Sequence, residues 1–418
     1  MAKLLPTTKT QVSGHRFMRR RVEHGIVFGD VRMIHDPLSS RRRAMVFGMV
    51  AVLLVSGVMG LFAWMRPNPD PGEAPILRAS DGSLFVQVDG VAHPVTNLAS
   101  ARLIAGSAAE PARVGDQSLG QLRKGVPVGI VSAPAVFAPA DSEDEFWSVC
   151  QAGTDVVVRA DQAPEALLPS EALLPSEAVL AVADNREWLI TAAGRTQLPP
   201  PTTPEGRIIR RGLGISATTP RWSPPPALIT ALKELPPYVL PHPAPQIVRT
   251  PAGAWLLVNG AVQPITRLQE LLLIDAGVNP THITQPQLAS YPDLEPAFDL
   301  RLPEQIPMWV DPARRAVCVD EEGRAGAVSY EEALRGAVQL SGTAVATHFA
   351  GLHSGSVGVD SGFGFHVVSA NGLRHAAAEA LTLETVGVAR IDTVPWGLLA
   401  LLPEGEALTR EAALTATY

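Results

Sequence analysis

Three kinds of pattern follow one another along the chain. Within residues 1–43, Phe17 or Met18, Val22 and Ile26 recur at helical spacing, while Arg16, Arg19, Arg20 and Arg21 fall mostly off that line. This predicts a basic amphipathic helix. Residues 44–65 are then 22 consecutive positions without a charge. As a helix they would be about 33 Å long, enough for a hydrocarbon core of about 30 Å. A buried core helix of this length would carry a polar stripe, and none is present. A cleavable signal would have an apolar run of about 7–15 residues and a small-residue cleavage site, which Trp64-Met65-Arg66-Pro67 is not. The run therefore predicts one transmembrane helix.

Beyond residue 66 the apolar runs shorten and alternate with turn signals. Two segments match without a gap at an offset of 170 residues. The first reads Leu84-Phe85-Val86-Gln87-Val88-Asp89-Gly90, then Pro94-Val95-Thr96-Asn97-Leu98, then Arg102-Leu103-Ile104. The second reads Ala254-Trp255-Leu256-Leu257-Val258-Asn259-Gly260, then Pro264-Ile265-Thr266-Arg267-Leu268, then Leu272-Leu273-Ile274. Asp89-Gly90 and Asn259-Gly260 are tight-turn signals between two short strands, and the apolar spacing after them is helical. The unit reads as β-turn-β-α. Two weaker copies follow the same plan, at Trp188–Ile190 with Gly194-Arg195-Thr196, and at Phe365–Val368 with Asn371-Gly372. Pro-flanked apolar helices at Pro226–Pro236 and Pro395–Pro403 close two of the units. A unit of about 60 residues buries little alone, so neighbours should share core. Pro67–Pro75, Pro199–Pro201, Pro224–Pro226 and Pro236–Pro245 read as stiff connectors. The doubled hexapeptide Ala166–Glu177 reads as a local duplication in a surface segment.

Charge orients the chain. Residues 1–43 hold ten Lys or Arg and three acids, while the stretch beyond the apolar run holds 24 bases and 38 acids. With Arg41, Arg42 and Arg43 at the start of the span, the positive-inside rule places residues 1–43 in the cytoplasm and the body outside, with Trp64 at the outer interface. Cys150 and Cys318 are the only cysteines. Export predicts one disulfide between them, with two buried free thiols as the alternative.

Composition excludes several chemistries. The four lysines are Lys3, Lys9, Lys124 and Lys233, and none follows a glycine, so the Gly-Lys-Ser/Thr core of a P-loop is absent. No Gly-x-Ser-x-Gly elbow occurs, because Ser354 in Gly351–Gly355 stands one place late, and there is no His-Glu-x-x-His. His348, His353, His366 and His375 are the one histidine-enriched stretch, and they read as strand and turn residues rather than metal ligands. No catalytic residue, cofactor or nucleic-acid partner is expected. Trp188 and Trp255 read as buried strand residues, which argues against an aromatic glycan-binding face.

The leader reads Gln11-Val12-Ser13-Gly14-His15-Arg16-Phe17, then Arg20-Arg21, Asp30-Val31-Arg32-Met33 and Asp36-Pro37-Leu38. After the span come Asn97–Ile104 and Trp147-Ser148-Val149-Cys150. In this order the motifs resemble EccB, a membrane component of actinobacterial type VII (ESX) secretion systems, specifically over residues 8–150. Ser13-Gly14 and Phe28-Gly29-Asp30 lean toward the compact, fourth ESX branch. The stretch Gly129-Ile130-Val131-Ser132-Ala133-Pro134 departs from the family's Gly-Ile-Pro-Gly-Ala-Pro.

The resemblance implies a scaffold that assembles with EccC, EccD and EccE in an inner-membrane complex and self-associates through its exported domains. The leader residues Gln11, Val12, Gly14, Arg16, Phe17, Arg20, Arg21, Asp30, Arg32, Asp36 and Pro37 would dock a cytoplasmic partner, with a basic helix lying on anionic lipid as the alternative reading. The resemblance also implies an α+β, elongated body of four pseudo-repeats around a central β-domain, which is built from separated segments and closed by the disulfide. The expected borders are leader 1–43, span 44–65, linker 66–74, repeat one 75–140, first central segment 141–182, repeat two 183–243, repeat three 244–308, second central segment 309–360 and repeat four 361–418. A membrane-anchored peptidoglycan binder is the alternative. An ATPase, as the family is often labelled, is a second, without a recognisable P-loop here.

Overall fold

The computed structural model describes residues 7–32, 37–64, 72–162 and 173–417, without the side chains of residues 37–42. The chain forms two units, Met1–Pro69 and Asp70–Tyr418. Most of the 66–74 linker and of the doubled hexapeptide lies outside the described residues, as do Met33 and Asp36.

The first unit holds two helices. Helix α1 (Lys9–Phe28) starts in a reciprocal cap: Gln11 N–H donates to Thr8 Oγ1, and Thr8 N–H donates to Gln11 Oε1. It ends at Gly29, whose φ of 68° suits glycine. Helix α2 (Pro37–Trp64) contains Arg43–Trp64, the one described stretch long and apolar enough to cross a membrane.

The second unit is five sheets. Repeat one comprises β1 (Ile76–Arg78), β2 (Leu84–Val88), β3 (Val91–Val95), α3 (Leu98–Ala105), β4 (Ala112–Arg113), α4 (Asp116–Gln121) and β5 (Arg123–Lys124). Strands β1, β2 and β3 form an antiparallel meander, β4 returns parallel to β1, and β5 returns parallel to β3. Strands β6 (Glu145–Ala152) and β7 (Asp155–Gln162) follow. Repeat two then copies the plan with β8 (Glu177–Ala183), β9 (Arg186–Thr191), β10 (Gly194–Gln197), α5 (Pro204–Gly212), β11 (Arg221–Trp222), α6 (Pro226–Ala231) and β12 (Glu234–Leu235).

Repeat three uses β13 (Gln246–Thr250), β14 (Gly253–Val258), β15 (Ala261–Ile265), α7 (Arg267–Asp275), β16 (Thr281–His282) and α8 (Gln285–Leu288), with a single parallel bridge, Val262 to Asp293, in place of a fifth strand. Then come β17 (Met308–Trp309), β18 (Arg315–Asp320), β19 (Ala325–Ser329), α9 (Tyr330–Leu334), β20 (Val338–Gln339) and β21 (His348–Gly351). Repeat four is β22 (Val357–Asp360), β23 (Phe365–Val368), β24 (Arg374–Ala377), α10 (Ala380–Val386), β25 (Ile391–Thr393) and α11 (Trp396–Leu399), closed by the bridge Arg374 to Glu404. A short α12 (Arg410–Ala413) ends the described chain.

Each copy therefore has three meander strands, where the sequence predicted two. The expected borders at 183 and 361 need correction, because they cut β8 and β22 away from the sheets these strands complete. The central sheet is ordered β19-β18-β6-β7-β21-β20, so two segments far apart in sequence build it.

The repeats share core, in a definite order. Ile208 of α5 joins the core of repeat three, and Arg211 of α5 pairs with Asp275 of α7 at 2.7 Å. Leu228 and Ile229 of α6 share one core with Leu398 and Leu399 of α11 and with the central sheet. Leu383 and Val386 of α10 pack with Ala101 and Ile104 of α3. The packing order is thus three, two, four, one. First helices meet at the outer junctions and second helices meet at the middle one. The inner second helices are apolar in sequence, whereas the outer ones, α4 (Asp-Gln-Ser-Leu-Gly-Gln) and α8 (Gln-Pro-Gln-Leu), are polar, as end caps of a repeat array are.

The matched turns have positive φ at both central residues, 49° and 76° at Asp89-Gly90 and 49° and 79° at Asn259-Gly260. These left-handed conformations match the right-handed twist of the flanking strands. Gly260→Val is expected to cost about 1–2 kcal/mol. A thermal melt of the full chain checks this, and an unchanged midpoint would show that the turn tolerates a side chain.

Candidate assembly site

On α1, Val12, Phe17, Met18, Val22 and Ile26 are all exposed, Ile26 at 79%. The apolar stripe therefore faces outward. Gln11 caps the helix, and Gly14 has open space around it. Arg19 pairs with Glu23 at 3.0 Å. Downstream, the backbone hooks back: His24 Nδ1–H donates to Asp30 O at 3.1 Å, its ring lies 5.0 Å from that of Phe28, and Arg32 N–H donates to Asp30 Oδ1 at 2.9 Å. Asp30 and Arg32 thus shape the end of α1. Pro37 is the first residue of α2.

Cys150 and Cys318 face each other across the β6–β18 ladder and are disulfide-bonded. Both are buried among Ala152, Ala316, Val328 and Ala333, under Tyr330 and Leu334 of α9. The C-terminal end of α9 is fixed from the neighbouring strand. Arg159 on β7 donates to the carbonyls of Ala333 and Arg335 at 3.0 and 2.8 Å, and forks onto Asp161 at 2.7 and 3.1 Å.

A second buried charge group ties the central sheet to repeat four. Arg390 forks onto Asp392 at 2.9 and 3.1 Å, contacts Glu145 Oε2, and donates to Ser142 Oγ at 3.1 Å and to Glu143 O. Trp147 Nε1–H donates to Asp392 Oδ2 at 3.4 Å, and Trp147 N–H donates to Glu321 Oε2 at 3.1 Å. Burial pushes the Asp392 carboxyl above the usual carboxylate range against the pull of Arg390. Burial pushes Glu321 up as well, opposed by the Trp147 N–H and reinforced by Asp320. A third tie joins repeats one and four: Arg102 donates to Val386 O at 3.0 Å and pairs with Glu110 at 2.7 Å.

The four histidines sit in separate settings. His348 meets Thr347 Oγ1, and His353 is exposed. The His366 ring lies 5.4 Å from that of Trp396, tilted by 33°, and burial lowers its pKa. His375 donates to Glu406 O. Trp188 is buried as read, but Trp255 is only half-buried, because the outer face of β14 is not fully covered. The repeat turns at Asp89-Gly90 and Asn259-Gly260 are exposed and belong to separate sheets. The sequence reading missed Arg102, Arg159, Glu145, Arg390 and Asp392. One signal was available: Arg159 and Asp161 are opposite charges two apart on one strand face, inside an apolar run.

These features define a protein with one candidate membrane-spanning helix among the described residues and a mixed α+β body whose central sheet is closed by a disulfide. The family model for type VII secretion system ESX-1, transport TM domain B (EccB), matches residues 4–252, and the chain belongs to that family. The ESX-1 secretion system ATPase EccB1 of Mycobacterium tuberculosis is 27% identical, covering 98% of this chain and 94% of that protein. The ESX-3 secretion system ATPase EccB3 of the same species is 33% identical over 59% of this chain and 48% of its own length. Among solved structures, a chain of an intact ESX-5 inner membrane complex superposes with a TM-score of 0.64 at 25% identity, covering 100% of this chain and 97% of that one. A chain of the periplasmic assembly of that complex gives 0.63 at 25% identity, covering 85% and 96%.

Proposed function

We propose that this protein is a structural subunit of the inner-membrane complex of a type VII secretion system. The observation that carries the reading is the full-length likeness to a chain of the intact ESX-5 inner membrane complex. In that role α2 anchors the chain and α1 lies in the cytoplasm. The repeat body stands in the periplasm-like space, where further copies of the chain pack against it. EccC, EccD and EccE are the proposed partners. The exposed apolar stripe of α1, flanked by arginines, is the proposed docking face for one of them. The relatives' names carry the word ATPase, but no lysine here follows a glycine, so nothing in this chain supplies a P-loop's phosphate cradle.

A pull-down of tagged chain from native membranes in mild detergent, sized on a native gel and identified by mass spectrometry, tests the proposal. EccC, EccD and EccE should co-purify in a large complex. Phe17→Asp with Val22→Asp should release them while leaving the anchor and body intact. Recovery of a lone monomer, or of cell-wall fragments alone, would overturn the scaffold reading and favour wall binding.

A further inference from the structure

We propose that the seam between the central sheet and repeat four is a proton-operated latch, in which the Glu145–Arg390–Asp392 group takes up one proton to close and releases it to loosen. The count of charges carries the proposal. One guanidinium serves two carboxylates, and the Glu145, Asp392 and Arg390 side chains are 0%, 8% and 10% exposed. The charged neighbours add to the imbalance. From the 142–144 segment comes Asp144, and from the turn between β18 and β19 come Asp320, Glu321 and Glu322. Arg324, the other cation of that turn, is already held by Asp320 at 2.7 Å and Glu322 at 3.0 Å. From β7 the neutral Gln162 reaches Glu145, at 3.3 Å. On the opposite face of that strand, Asp161 is spanned by Arg159.

Fully ionised, the closed group is therefore a buried net negative charge, which a low-dielectric interior disfavours. One proton on either carboxyl leaves the three-residue group neutral while Arg390 keeps both carboxyls as neighbours. In an opened seam, water solvates both carboxylates at their ordinary values near about 4. The raised position of Asp392 in the closed state agrees with this. The closed form binds more protons than the open form, so closure is favoured at low pH and weakens as pH rises from about 4 through the raised value. The strands involved, β6 and β25, are those that bring repeat four against the central sheet. The latch therefore sets how firmly the repeat four and repeat one half of the body is held.

Hydrogen exchange of the full chain in detergent, measured from pH 4 to 8 and corrected for intrinsic exchange rates, reads the latch at the Ile391–Thr393 amides. Protection in the native chain should fall with rising pH, by at most tenfold per unit for a one-proton step. In Glu145→Gln it should be flat and, at pH 8, higher than in the native chain. A native profile without slope, or a Glu145→Gln profile with the native slope, would overturn the proposal. Should Glu145→Gln fail to fold, Glu321→Gln decides, since it leaves the three-residue group whole. Removing that nearby charge should move the midpoint to lower pH, and an unmoved midpoint would count against the latch.

Discussion

Arg159→Met is expected to destabilise the central sheet by about 3–5 kcal/mol, the range for breaking a buried ion pair from one side. The guanidinium is 5% exposed and holds Asp161, itself 4% exposed, through two bonds. It also holds two carbonyls at the end of α9, so its loss uncaps that helix and leaves a buried carboxylate without its cation. Methionine fills the volume but supplies no donor. Urea unfolding followed by hydrogen exchange in β7 and α9 measures the loss. The companion Arg159→Met, Asp161→Leu should recover a large part of it, because a well-packed apolar pair removes the stranded charge as well. A double variant no better than the single one would mean that the carbonyl contacts, rather than the charge, dominate.

Cys150→Ala with Cys318→Ala is the second large effect. The bond closes a loop across a sequence separation of 168, for which the chain-entropy account gives about 5 kcal/mol. Its position adds a kinetic expectation. The sulfurs lie under α9 in a shell of small apolar side chains, so a thiolate reductant reaches them only when α9 lifts or β18 leaves β6. Mass tagging of thiols against urea concentration should show reduction appearing together with unfolding of the central sheet. Reduction of the native protein by dithiothreitol at low urea would contradict the buried setting.

What could be read in advance follows physical lines. The leader helix, the span and two repeats were legible because each rests on a local pattern: a stripe, an uncharged run, and an Asp-Gly or Asn-Gly turn between strands. Repeats two and four lack that turn in matching form; Ala192-Ala193 and the longer Ser369–Leu373 stand in its place. The first strand of each repeat was invisible for different reasons. Strand β1 is only Ile-Leu-Arg, and β8 is apolar on both faces because it is covered on both, so neither shows alternation. Apart from the Arg159–Asp161 pair, the buried charges left no local mark in the sequence. Glu145 at the start of β6 and Arg390 before β25 look like ordinary polar strand ends, and only packing between residues about 245 apart in sequence removes them from water. The disulfide required only the expectation of an oxidising compartment, and the ladder then set the two cysteines opposite each other.

The way the chain returns on itself bears on how the protein is made. The core of repeat one includes Val367, Leu383, Val386, Leu408 and Ala413, and its edge is closed by the bridge from Val128 to Ala416. A chain anchored by α2 and threaded outward delivers residue 75 long before residue 416. Repeat one must therefore wait, with part of its apolar face uncovered, until residues as late as Ala416 have crossed, and Cys150 must wait for Cys318. Repeats two and three, neighbours in both sequence and space, can pair through α5 and α7 meanwhile, while α6 still waits for α11. Loss of the Leu408–Ala416 stretch would thus be felt in repeat one, the first domain to emerge.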